Sequence, residues 1–143
     1  MCGVIIEGSE PPVLRVTTAT GLHLEFETAY PYGPDDPYIG GMNVRATGTH
    51  VRVEQQVILL EGPADFLTGL YDDFRGWTGE RIWRSLEHEL RISARHDGHV
   101  HLTWELTSGP YRESPWTFSV TTHHGAGEDV RQLAEAFAQL LDR

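Results

Sequence analysis

The sequence contains no lysine; all eleven of its basic residues are arginines. Against 21 acids they leave a formal charge of −10. A balance that acidic argues against nucleic acid as the main partner, because phosphate binding needs a basic surface that releases counterions. It is compatible with a basic protein partner, whose encounter a negative surface accelerates. The missing lysine, beside abundant Gly, Arg, Asp and Ala, reads as the coding bias of a GC-rich genome and not as a functional signal. Cysteine is nearly absent as well. The single one, Cys2, has no internal disulfide partner, so a reducing cytosol is the expected setting. The only early apolar run, Val4-Ile5-Ile6, is too short for a signal-peptide core or a membrane span. The expectation is a soluble cytoplasmic protein with no membrane partner. Catalytic signatures are missing too. No serine stands in a Gly-x-Ser-x-Gly elbow, Cys2 lacks an orienting partner, and neither a Walker sequence nor a Rossmann glycine pattern occurs. An enzyme is therefore the minority reading, and no cofactor is expected.

What is present describes a fold. At 143 residues the chain reads as one domain, 1–143, large enough to bury a core without disulfides or metals. Residues 1–12 end in Ser9-Glu10-Pro11-Pro12, which suggests a loose strand followed by a turn. Val13 to Thr18 and Leu22 to Glu27 alternate apolar and polar positions around Thr20-Gly21, a short hairpin signal. Strand character returns from Met42 to Ala46 and from Val51 to Leu59, with Gly48 between them.

Gly62-Pro63 opens a helix, proline being suited to the first helical position. Phe66, Leu67, Leu70, Tyr71 and Phe74 form its apolar stripe, and Gly76 stands where a left-handed cap is wanted, with Trp77 able to fold back on Tyr71. Glu80 to Glu89 fits either a helical turn or a strand. Leu90, Ile92 and Ala94 then alternate with Arg91, Ser93 and Arg95, and Val100, Leu102, Trp104 and Leu106 make the next apolar row. The two rows share a face only if pairing preserves parity. A three-residue turn, His96-Asp97-Gly98, does so; it pairs Ala94 with Val100, Ile92 with Leu102 and Leu90 with Trp104. Trp116, Phe118 and Val120 supply a further row beyond the polar loop Ser108 to Pro115. Glu128 and Asp129 begin a closing helix with Val130, Leu133, Ala134, Phe137, Leu140 and Leu141 on its apolar face. The expected architecture is α+β: one meander-like antiparallel sheet of about six to seven strands, covered by two amphipathic helices.

The segment Phe74-Arg75-Gly76-Trp77-Thr78-Gly79-Glu80-Arg81, followed by Trp83, Ser85-Leu86-Glu87 and Ala94-Arg95-His96-Asp97-Gly98, resembles a family of short actinobacterial proteins, domain-of-unknown-function family 6228. The similarity runs from the early strands through Gly127-Glu128. It implies the fold and brings no activity, substrate or catalytic residue with it.

Among candidate sites, the stretch Ala29 to Gly41 stands out. Its three prolines, at 31, 34 and 37, forbid a continuous strand or helix, and Tyr30, Tyr32, Asp35, Asp36 and Tyr38 have the composition of a binding loop. Tyrosines packed over the sheet end are the bland alternative. The eight histidines include a second candidate. His99 and His101 share the polar face of one strand, and His123 falls opposite one of them on the next. Such imidazoles can share zinc or nickel, with His124 or a carboxylate completing the shell. Arg95, expected beside His99, opposes a cation there, and solvated histidines at strand ends are the simpler reading. His88 would face the core by strand parity unless it precedes the strand. Glu87, Glu89 and Glu105 gather acids on one face, as glycoside hydrolysis would require, but Arg91 and Arg95 on that face favour ion pairing.

The leading expectation is a non-enzymatic, cytoplasmic protein-binding module using Tyr30, Tyr32, Asp35, Asp36 and Tyr38 against a basic partner, in the manner of an immunity or antitoxin-type inhibitor. The alternatives are a metal- or small-molecule-binding protein using His99, His101 and His123, and a homodimer or larger homo-oligomer that buries a sheet edge or the aromatic loop between subunits.

Overall fold

The computed structural model describes residues 3–7, 12–109 and 113–141. Cys2 and the turn expected at Ser9-Glu10-Pro11 lie outside the described residues. The elements in chain order are β1 (Gly3–Glu7), β2 (Val13–Thr17), β3 (His23–Tyr30), β4 (Gly40–Thr47), β5 (Arg52–Leu59), α1 (Ala64–Asp72), β6 (Arg81–Arg84), β7 (Leu90–His96), β8 (His99–Thr107), β9 (Thr117–Gly125) and α2 (Glu128–Leu141).

These nine described strands form two antiparallel sheets, not the single sheet expected from the pattern. One is the five-stranded meander β1-β2-β3-β4-β5 and the other the four-stranded meander β6-β7-β8-β9. The break falls at α1, which carries the chain away before β6 begins. The edge of β5 is met instead by the turn before β7: Leu86 N–H donates to the Ile58 carbonyl at 3.0 Å. Alternation of apolar residues shows which face of a strand is buried, but says nothing about which strand lies beside it.

Both sheets turn their apolar faces to one core. Phe26 of β3, Trp104 of β8 and Phe137 of α2 meet there, with ring centroids 5.3 Å (Phe26–Trp104), 4.9 Å (Phe26–Phe137) and 6.2 Å (Trp104–Phe137) apart. All three are fully buried, each enough to contribute several kcal/mol to folding. The apolar stripe of α2 is buried from Val130 to Leu140, with Leu141 only half-buried, and no described helix is long and apolar enough to cross a membrane.

Three local expectations change. Pro63 caps α1 from just outside it, and the helix stops at Asp72, where Phe74 N–H donates to Tyr71 O and Gly76 N–H to Asp73 O in successive tight turns. Phe74 thereby leaves the buried stripe and is 47% exposed. Trp77 packs edge-on against His96 at 5.1 Å, away from Tyr71, with the Arg81 guanidinium 4.8 Å from its ring. The ambiguous stretch 80–89 resolves into β6 and a turn; His88 stands in that turn, exposed, with φ +62°.

The β7–β8 register is shifted by two residues from the expected one. Ala94 faces Leu102, Ile92 faces Trp104 and Leu90 faces Leu106. The apex is Gly98, at φ +99°, and Asp97 N–H reaches the His99 carbonyl at 3.1 Å across it. Closing the turn this tightly adds the pair His96–Val100 to the ladder, and a shift of two leaves every side chain on its intended face.

Candidate functional site

The loop between β3 and β4 begins at an irregularity: the register slips between Thr28 and Tyr30, and Tyr30 comes opposite Gly41. The Tyr30 ring lies over that glycine. A Cβ at Gly41 would sit 2.3 Å from the ring, so only glycine admits this arrangement. Tyr32 covers the neighbouring Gly40 in the same way, 3.3 Å from where a Cβ would be, and packs against the core. Burial, with the nearby Glu61 carboxylate, raises the Tyr32 phenol above its ordinary pKa. Two tyrosines are thus used to fill the space above two glycines of β4.

Asp36 folds the loop tip. Its carbonyl accepts the Gly33 N–H at 3.3 Å, and its Oδ1 accepts the Tyr38 N–H at 3.1 Å. Tyr38, held by that bond, projects outward with 72% of its surface exposed. Asp35 is exposed beside it. Tyr30, Pro31, Pro34, Asp35, Asp36 and Ile39 surround a shallow cavity of about 280 Å³. Of the five residues singled out from sequence, Tyr38, Asp35 and Asp36 are exposed, with Asp36 also bracing the loop, Tyr30 is partly so, and Tyr32 is turned inward. Leu60 was not among them. It lies one residue past the Gly40–Leu59 pair, at the same end of the sheet, and is 54% exposed. The signal was available, since the alternation through Val57 and Leu59 turns Leu60 away from the core.

On the outer face of the other sheet, His101 and His123 are direct cross-strand partners. Their Nδ1 atoms are 2.6 Å apart, and Asp97 Oδ1 lies 2.5 Å from His101 Nε2. The carboxylate accepts the Nε2–H, and one proton shared between the facing Nδ1 atoms completes a line Asp97–His101–His123. The bond to His101 lowers the Asp97 pKa. His99 does not join them; it is exposed and opposite Gly125. Arg95 faces His101, not His99 as expected, and its guanidinium turns to Glu80 at 3.7 Å.

His124 points the other way, into the core, and is 3% exposed. Trp104 Nε1 donates to Thr122 Oγ1 at 2.8 Å, and Thr122 Oγ1 lies 2.7 Å from His124 Nε2. Because indole N–H can only donate, Thr122 Oγ1 accepts from Trp104 and keeps its own proton to donate. Burial pushes the His124 pKa down to about 4. Among the described residues no group of three or more His, Cys, Asp and Glu side chains is arranged to hold a metal ion.

The three acids expected on one face are separated. Glu105 faces Arg91 across the strands and Glu87 is exposed, while Glu89 is drawn inward and only 5% exposed. Glu89 and Glu87 line a groove of about 430 Å³ with Gln55, Gln56, Ile58 and Ser108. Both Glu89 oxygens accept hydrogen bonds from the protein, Oε1 from Ser85 Oγ at 2.8 Å and Oε2 from Ile58 N–H at 3.1 Å.

Residues 15–143 match a family described as a family of unknown function, DUF6228. No curated protein and no solved structure matches the chain.

Proposed function

The chain belongs to that family, DUF6228, which lends it no activity, and we propose that it is a non-enzymatic module that binds a basic protein through the tyrosine-bearing end of its five-stranded sheet. The observation that carries this reading is Tyr38. It is a large amphipathic side chain, 72% exposed, on a loop whose conformation is already set by hydrogen bonds to Asp36. A tyrosine presented on a pre-folded loop loses little entropy when it docks. Asp35 beside it and Leu60 across the same end add charge and apolar area, the ingredients of an interface with a central anchor and a polar rim. The charge of −10 favours encounter with a positively charged surface, and an inhibitor of the immunity type, clamped on a basic toxin such as a nuclease, has this size and charge.

The test is capture of the tagged protein's partner from lysate of its source organism, followed by calorimetry with the identified protein. Tyr38→Ala is expected to weaken binding at least tenfold, in line with the loss of about 1.4 kcal/mol or more at an anchor residue. The same change is expected to leave the unfolding midpoint unaltered, whereas Tyr32→Ala lowers it by uncovering Gly40. Equal affinity for wild type and Tyr38→Ala with Asp35→Asn would assign the partner to another surface and reject this reading.

A further inference from the structure

We propose that β9 pairs edge-to-edge with β9 of a second copy of the chain, joining two four-stranded sheets into one across a twofold axis. Among the described strands four are outermost in their sheets: β1, β5, β6 and β9. An outermost strand offers unpaired backbone N–H and C=O groups, and folded proteins guard such edges with charge, proline, bulges, brevity or a covering element.

Three of the four are guarded. β1 is only five residues long, and α2 packs against β1 and β9 alike. β5 carries Arg52 and Glu54, and its far end is closed by Leu86 and Glu89 on Ile58. β6 is four residues long, with arginine at both ends. The fourth is different. β9 runs nine residues, Thr117 to Gly125, without a charged residue or a proline, and it follows β8 through an unbroken register. Its sequence, Thr-Phe-Ser-Val-Thr-Thr-His-His-Gly, is rich in the residue types that favour strands.

A second observation points the same way. Phe118 and Val120 face the core side of β9, yet both are only partly buried, because no described strand lies beyond them to complete their cover. A neighbouring β9 would supply it. Trp116, 40% exposed just before the strand, would be covered by the same approach.

Charge selects the occupant. Two chains that each carry −10 repel one another, and from Thr117 to His124 β9 is an edge along which they can meet without a charged side chain of its own; only at its end does a carboxylate, Asp129, hold the Gly125 N–H at 3.0 Å. A basic partner is drawn instead to acidic surface, and β9 itself supplies no carboxylate. Antiparallel pairing about a twofold axis places the same residues on both sides, the isologous arrangement most common in dimers.

The experiment is light scattering on the full chain across a concentration series, with amide hydrogen exchange measured on the same samples. Wild type is expected at twice the chain mass, with protection along residues 117–121 rising with concentration. Ser119→Lys with Thr121→Lys, both at exposed positions, is expected to halve the mass while leaving the circular dichroism spectrum unchanged. Monomeric wild type at high micromolar concentration would overturn the proposal. So would a dimer whose 117–121 amides exchange as freely as in the monomer, which also covers the case where the lysine variant fails to fold. A partner strand of another protein would appear as monomer alone and protection only in its complex, and would equally overturn it.

Discussion

The Glu89 carboxylate reaches across the junction of the two sheets and accepts the backbone N–H of Ile58 at 3.1 Å. Its other oxygen takes the Ser85 hydroxyl, whose oxygen in turn accepts Leu90 N–H at 3.1 Å. One side chain therefore ties the free end of β5 to the start of β7, a join that a continuous sheet would have made with backbone alone. Replacing Glu89 with alanine removes the acceptor of the buried Ser85 hydroxyl and of the part-buried Ile58 N–H. The expected loss is about 1–3 kcal/mol for each buried donor left unpaired, read from urea unfolding. Glu89→Gln should recover only part of it, because a carboxamide offers one acceptor oxygen where the carboxylate offers two.

Acid should destabilise the protein through His124. Its pKa is depressed to about 4 in the folded chain from 6.5. Between those values the unfolded chain binds the proton and the folded one does not, so stability is full above pH 6.5 and falls as pH drops toward 4. At about 1.4 kcal/mol per unit, the loss is on the order of 3 kcal/mol. Urea midpoints measured across this range should show that slope for wild type and a flatter one for His124→Gln. An unchanged slope in the variant would trace the acid sensitivity to another group.

Zinc is expected to bind weakly, if the described residues are its whole supply of ligands. His101 and His123 present facing Nδ1 atoms 2.6 Å apart, and Asp97 lies on the far side of the His101 ring. Zinc–nitrogen bonds of about 2.0–2.1 Å in a tetrahedral shell would force those nitrogens apart. Calorimetric titration of chelator-treated protein should therefore reveal no submicromolar site. Tight binding abolished by His123→Ala would establish these imidazoles as ligands and call for a third donor.

Much of the fold was legible because parity is robust. Leu90, Ile92 and Ala94 are buried with Leu102, Trp104 and Leu106 whichever even shift the turn adopts, which is why the face was readable and the register was not. The same rule separates His123 from His124, adjacent residues that must point to opposite faces, so His124 could never have completed a shell on the outer one. Tyr32 and Tyr38 are the instructive case. They have the same side chain in the same proline-rich loop, yet one roofs Gly40 and the other meets solvent. That choice depends on the slip between Thr28 and Tyr30, a feature of three-dimensional pairing with no local signature. The division into two sheets escaped for a related reason: strand neighbours are set by where α1 delivers the chain.

The position of Phe137 has a consequence for how the protein is made. It wedges against Phe26 and Trp104, but it lies on α2, which is synthesised after all nine described strands. At roughly 5–20 residues per second, the interval between Trp104 and Phe137 leaves two large aromatic rings without their third partner for a few seconds. Both meanders can pair from neighbouring strands as they emerge, but the surface between them stays open to chaperones and proteases until α2 arrives. The helix that closes the core thus also sets the moment at which the newborn chain stops being a substrate for quality control.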